Sequence, residues 1–525
     1  MICTRDLKRA GAALLVAGLA CAAAAAVAAA PGEGALQQAA AAIAQGDGIM
    51  AEVAARQAMQ LGRARADVAA YLGEAELLQG DGGAAHTWLD AGQFSPASQQ
   101  RGFHALGRLQ LDEGDFAGAA QSFNRALASG PATAGLWVDI GAMRYRSGQQ
   151  HLALDAAERA VALGPDDPQA LSFRAQLARD SGGLLAALPW FERAVAKAPQ
   201  DIGLLGEYAA TLGDAGRYRA MLQVARRMVE LNPRHPRAYY LQAVLAMRAG
   251  KVDLARRLMW KTGGEYDDLP AGLLLNGTME LASDNPRLAV EQFDHLVRLQ
   301  PQNQRAQRLI GRALLANGEA NEVVARFAAQ TDRRDAPPYL LTLMGRALEQ
   351  LGQRQRAAPY LDRAAGPLAA AITVLPVDAD GDFAIWRWSK DPGNAEAAVP
   401  LLRKLVSEGR MAEAQAQASR MLVRYPGSAD VERLAGDVRL LGGDAAGALS
   451  AYDRSAAIRN DNALLLRTVW AERALGRADK GERRKEEFLA QNPRWSQPAR
   501  PHRAGSHNAV SATLARVKEA ALTTY

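Results

Sequence analysis

The residues that could do chemistry are few, and most of them fail on spacing. Asp378, Asp380 and Asp382 form an acidic run of the kind that holds calcium. An EF-hand loop needs glycine at its sixth place and a bidentate glutamate at its twelfth. Here Gly381 is fourth and Ser389 is twelfth, so the run reads as a solvated turn. The histidines (His86, His104, His151, His235, His295, His502, His507) include no pair at i and i+4 and no carboxylate at zincin spacing. Gly272 and Gly277 are spaced as in a phosphate loop, but Thr278 stands where the lysine is needed. Asn276-Gly277-Thr278 matches a glycosylation sequon, yet it falls inside an expected helix and is discounted. There is no Gly-x-Ser-x-Gly and no dinucleotide fingerprint. No catalytic residue, metal or cofactor is expected. What remains is a set of cations: Arg305, Arg308 and Arg312 lie three and four apart, and so share one face of a helix.

The elements that must position them repeat. Gly46-Asp47, Gly80-Asp81 and Gly114-Asp115 recur at 34 residues, and the series continues through Gly148, Gly182, Gly216 and Gly250. It misses at Asp284, where Ser283-Asp284-Asn285-Pro286 is also a turn, and resumes at Gly318 and Gly352. In the copy that starts at Gln100, Phe103 stands at place 4, Gly107 at 8, Gly114 at 15, Ala119 at 20, Phe123 at 24, Ala126 at 27 and Pro131 at 32. This frame predicts two amphipathic helices per copy. Glycine at 15 ends the first, because only it takes a left-handed conformation without steric cost. Asp115 caps the second, and Pro131, without an amide proton, suits the boundary before the next helix. Small residues at 8 and 20 allow close helix approach, and the aromatic at 24 is expected to fill the space between neighbouring copies.

The pattern resembles the tetratricopeptide repeat. Trp137, Gly141, Ala153, Ala160 and Pro165 carry the likeness in the copy from Ala134, and Leu171, Ala175, Ala187, Phe191, Ala194 and Pro199 in the copy from Pro168. The resemblance implies an all-α, right-handed solenoid of helix–turn–helix units. It also implies that the first helix of each unit lines the concave side, with places 2, 5, 9, 12 and 13 facing a ligand. Arg346 would then lie beside Arg312 in the next unit, and an acidic peptide or anionic polymer would dock along that stretch. Tyr239 and Tyr240 are the next candidates. Place 9 runs Ala142, Gln176, Ala210, Val244 and Thr278, so the lysine–asparagine clamp of chaperone-binding members is absent and a co-chaperone role is not expected.

The two ends differ from the array. Arg5, Lys8 and Arg9 against Asp6 at one end, and Arg494, Arg500, Arg503, Arg516 and Lys518 against Glu519 at the other, account for the whole net charge of +6. The basic balance is therefore poor evidence for nucleic-acid binding. A short basic stretch followed by an apolar run from Ala10 to Ala30, with Ala-x-Ala sites ending at Ala28 or Ala30, reads as an export signal. Retained, the run is just long enough to anchor the chain in a membrane. Cys3 and Cys21, the only cysteines, lie in this leader, so the processed chain would hold no disulfide. Lipidation at Cys21 is the alternative, although Gly18 and Leu19 depart from the lipoprotein box.

The expected organisation is a leader or anchor over 1–30, ten units over 32–371, an insertion over 372–394, three units over 395–496 and a tail over 497–525. The insertion reads as a loop plus one extra helix through Phe383, Trp386 and Trp388, without a partner helix. It joins two sub-arrays and is expected to couple them weakly. The function expected is an exported, periplasmic or envelope-attached, non-catalytic scaffold that holds one or more proteins or peptides. The alternative is a structural subunit of a polysaccharide or protein export machine.

Overall fold

A computed structural model describes residues 31–301, 303–332, 336–365, 375, 381–390 and 395–493. The leader, most of the acidic run and the tail lie outside the described residues. Every regular element among those described is a helix. Seven belong to a first compact unit, up to Ser147: α1 (Glu33–Ala44), α2 (Gly48–Gln60), α3 (Arg65–Gln79), α4 (Gly82–Leu89), α5 (Gln99–Asp112), α6 (Phe116–Ala128) and α7 (Ala134–Arg146).

A second compact unit begins at Gly148. In it follow α8 (Gln150–Leu163), α9 (Pro168–Gly182), α10 (Leu184–Lys197), α11 (Ile202–Asp214), α12 (Tyr218–Leu231), α13 (Pro236–Arg248), α14 (Val252–Trp260), α15 (Pro270–Ala282) and α16 (Pro286–Leu299). The run continues with α17 (Gln304–Ala316), α18 (Ala320–Thr331), α19 (Pro338–Gln350) and α20 (Arg354–Ala365). A single helix, α21 (Gly381–Lys390), precedes α22 (Ala395–Ser407), α23 (Met411–Arg424), α24 (Ala429–Leu441), α25 (Ala445–Ile458), α26 (Asn462–Ala474) and α27 (Ala478–Gln491).

The turn chemistry explains the helix ends. Gly114 has φ +81°, and Asp284, standing where a turn glycine is missing, is the only described non-glycine residue at positive φ. Asp47, Asp81 and Asp115 accept the amides of Met50, Ala84 and Gly118 at 2.8–2.9 Å, satisfying donors that the first turn of a helix leaves open. One turn departs from the expected series. Gly182 is the last residue of α9, and Gly183, at φ +93°, makes the turn without an aspartate cap.

The core is built within repeats. A Cβ at Gly107 would fall 2.4 Å from the ring of Phe123, and one at Gly436 would fall 2.4 Å from Tyr452. Phe123, Phe191, Phe293, Phe327 and Tyr452 are all essentially inaccessible to solvent. The aromatic at place 24 thus enters the gap at place 8 of its own repeat, a correction to the expectation that it fills the space between repeats. Phe191 also reaches Tyr208 of the next repeat, with ring centroids 6.3 Å apart. First helices of adjacent repeats touch directly, as in α1–α3, α3–α5, α11–α13, α17–α19 and α24–α26. That is the packing of the shorter, inner side of a curved stack. The insertion helix is not without a partner: α21 packs on α22, and Ile385 and Trp388 lie against a core containing Leu375, Leu401 and Leu405.

Candidate partner-binding face

Inner-face positions carry charge in both compact units, and most of that charge is neutralised within the array. In the first unit Arg101 donates to Glu74 at 2.6 Å and His104 pairs with Asp139 at 2.7 Å. Arg108 stands between them, 4.0 Å from Glu74 and 3.8 Å from Asp139. In the second unit Glu207 takes Arg237 at 2.6 Å and Arg179 at 3.3 Å. Burial pushes the Glu207 carboxyl up, but the two guanidiniums outweigh it and hold it below the usual carboxylate range. In the C-terminal sub-array Asp437 accepts from Tyr452 and Arg467, both at 2.8 Å. Burial pushes Asp437 up to about 6 against the pull of Arg467. These groups stitch successive repeats together and leave little for a ligand.

The stretch from α17 to α19 is different. Asn303 caps α17 by accepting the amides of Arg305 and Ala306 at 3.0 and 3.1 Å, which fixes the register of the following face. Arg308 is exposed, with its guanidinium 5.8 Å from the centre of the Tyr339 ring. The Tyr339 hydroxyl donates to the Arg308 carbonyl at 3.0 Å, tying α19 to α17. Arg312 is half-buried and its Nη1 has no hydrogen-bond partner. Burial lowers its pKa to about 10, with the nearby Tyr339 opposing the shift, and the same burial raises Tyr339. Among the described residues no carboxylate pairs with Arg308 or Arg312. A desolvated cation without an anion is costly, and a carboxylate or phosphate would remove that cost.

The structure brings Arg308 and Arg312 together around Tyr339. Arg305 sits half-buried at the start of the same helix. Arg346 is exposed and bound to Glu349 at 2.7 Å, so its charge is already answered. Tyr239 donates its hydroxyl to the Pro233 carbonyl at 2.7 Å and lies under Lys261. Tyr240 is 9 % exposed and stacks flat on Tyr266 at 4.3 Å, which leaves a partner little of its surface. Tyr339 was not singled out from the sequence, although it occupies place 2, a ligand-facing position of the repeat. The described residues contain no cluster of three metal-ligating side chains, and no described helix is long and apolar enough to cross a membrane.

A family model described as tetratricopeptide repeat matches residues 104–168, 144–202, 209–259 and 274–322. Among solved structures, similarity is found to a tetratricopeptide repeat protein of Parabacteroides merdae, with 18% identity and a TM-score of 0.27 over 50% of this chain and 91% of that one. A thermophilic repeat protein of Thermus thermophilus shares 22% identity, with a TM-score of 0.29 over 35% of this chain and 100% of that one. Human IFIT1, solved as a dimer with m7Gppp-AAAA, shares 15% identity, with a TM-score of 0.40 over 79% of this chain and 94% of that one. No curated protein matches the sequence.

Proposed function

We propose, for a chain that belongs to the tetratricopeptide-repeat family, a non-catalytic role as a protein-binding scaffold that works outside the cytoplasm. The partner is gripped on the inner face of α17 and α19 through an acidic segment. The observation that carries this reading is Arg312: its buried Nη1 lacks a hydrogen bond, and Arg308 and Tyr339 stand beside it. Elsewhere on the inner face, cations of this kind meet carboxylates of the chain itself. Carboxylates of a partner would supply here what no described residue does. Charge-assisted hydrogen bonds contribute about 1.5–3 kcal/mol each, so two or three suffice for a specific, salt-sensitive contact. The basic leader and its apolar run support export.

The test is titration of the chain with a fluorescent peptide rich in aspartate and glutamate. Binding should weaken steeply with salt, and Arg308→Glu should reduce it at least tenfold with helicity unchanged. Arg312→Met should also abolish binding while leaving the fold as stable as before or more so by about 1 kcal/mol, because it removes an uncompensated buried donor. Equal affinity in all three proteins would rule this face out.

A further inference from the structure

Within the second compact unit, residues far apart in sequence meet along one edge. The His151 amide donates to the Gly427 carbonyl at 3.2 Å, and the Ala429 amide donates to Gln150 Oε1 at 2.9 Å. One repeat further on, the Asn460 amide donates to the Asp180 carbonyl at 2.8 Å. Beside it, the Leu184 amide points at Asn492 Oδ1, 3.4 Å away. The two sides advance unequally: Gln150 and Leu184 lie one repeat apart, whereas Gly427, Asn460 and Asn492 span two, so the single turn from Asp180 to Leu184 meets two successive turns of the other side. Gln150, Ser428 and Asn492 are each 8 % exposed, so these polar groups are largely withdrawn from solvent, and a cavity of about 210 Å³ lies between the two sides, lined by Gly183, Asn460 and Asn492.

The donors are informative. Leu184 opens α10, Ala429 opens α24 and His151 is second in α8, so all three are first-turn amides that a helix cannot satisfy itself. In the first three repeats an aspartate after the turn glycine does this work. Here the cap positions are Gln149 and Gly183, with no side-chain cap, and Ser428 also fails to cap α24. The partner is the other sub-array.

We infer that the turn edge around Gln150 and Gly183 is a built docking surface for the last three repeats, which act as a latch closing the second unit on itself. The contact is carried by four hydrogen bonds among the described residues, whereas consecutive repeats share apolar cores as well as ion pairs, and it leaves the buried His151 Nδ1 without a hydrogen-bond partner. It is therefore the joint that opens first. The inference goes beyond the proposed peptide site and needs no ligand to test.

Gly427 provides the handle, since a Cβ there would fall 1.6 Å from His151 Nδ1. Gly427→Ala should prise the seam apart, whereas Gly427→Ala with His151→Ala restores the room but keeps the strain of alanine at φ +74°. Hydrogen exchange in the intact chain reads the result at Leu184 and Asn460, both distant from the substitution in sequence. The single variant should exchange at least tenfold faster there, with a larger radius of gyration and unchanged helicity, and the double variant should regain protection. Gln150→Ala, which leaves every glycine in place, should speed exchange at Ala429. Unchanged exchange at Leu184 and Asn460 in Gly427→Ala, or no recovery in the double variant, would overturn the latch.

Discussion

His86 shows how much the placement of one side chain decides. Its two ring nitrogens lie 2.8 Å from Asp90 and 2.5 Å from Glu113, and these bonds, Asp90 first, raise its pKa above the usual histidine value. A raised folded pKa means that protonation favours the folded state. The stabilisation is complete below the unfolded value of about 6.5 and is lost as pH rises through the folded one. An NMR titration should place His86 above an ordinary histidine, and His86→Gln should flatten the pH dependence of melting above about pH 6.5. An unshifted His86 would mean that the two carboxylates do not hold it in solution. Neither this pairing nor the Arg312 environment was legible in the sequence. The spacing of Arg305, Arg308 and Arg312 put them on one face, but only packing distinguishes a desolvated cation from a solvated one. Tyr339 was legible from its place in the repeat.

At the scale of the element, the repeat frame was read almost entirely from glycine, alanine and aromatic spacing, because each residue's role is local. A Cβ at Gly311 would lie 2.8 Å from Phe327, so ring and glycine form one joint. Phe327→Ala should cost the α17–α18 pair about 3–5 kcal/mol. Leu288→Ala, at a position 41 % exposed, should stay within about 0.5 kcal/mol. A long array need not unfold as one cooperative body, so hydrogen exchange within each repeat is the measurement that separates the two. Equal effects would mean that the buried ring is not what holds the pair together. The frame failed where a local rule had a competitor. Gly182 continues α9 because Gly183 follows it and can make the turn. The insertion helix finds a neighbour in α22, since Trp388 and Ile385 are too apolar to stay in water.

At the scale of the molecule, the ends and the array make separate statements. Residues 1–40 fused to a reporter active only outside the cytoplasm should give activity, and the purified protein should begin near Ala29 or Pro31. A cytoplasmic reporter signal would refute export, and labelled palmitate at Cys21 would replace the cleaved form with a lipidated one. The edge contact between the sub-arrays could not have been read from the sequence. Its residues are an ordinary glutamine, histidine, glycine and asparagine, and 279 residues separate Gln150 from Ala429.

That contact also bears on heredity. Tandem repeats gain and lose copies by recombination, and an open stack tolerates this because each copy meets only its neighbours. Here both sides of a ladder must meet after a fixed number of copies, since Gln150 reaches Ala429 only across the stretch from α9 to α23. One more copy or one fewer in that stretch would carry the far edge away from its mate. Inserting one copy between Gly183 and Gly427 should therefore expose the Ala429 and Leu184 amides to hydrogen exchange, an effect that a copy added among the first three repeats should not have.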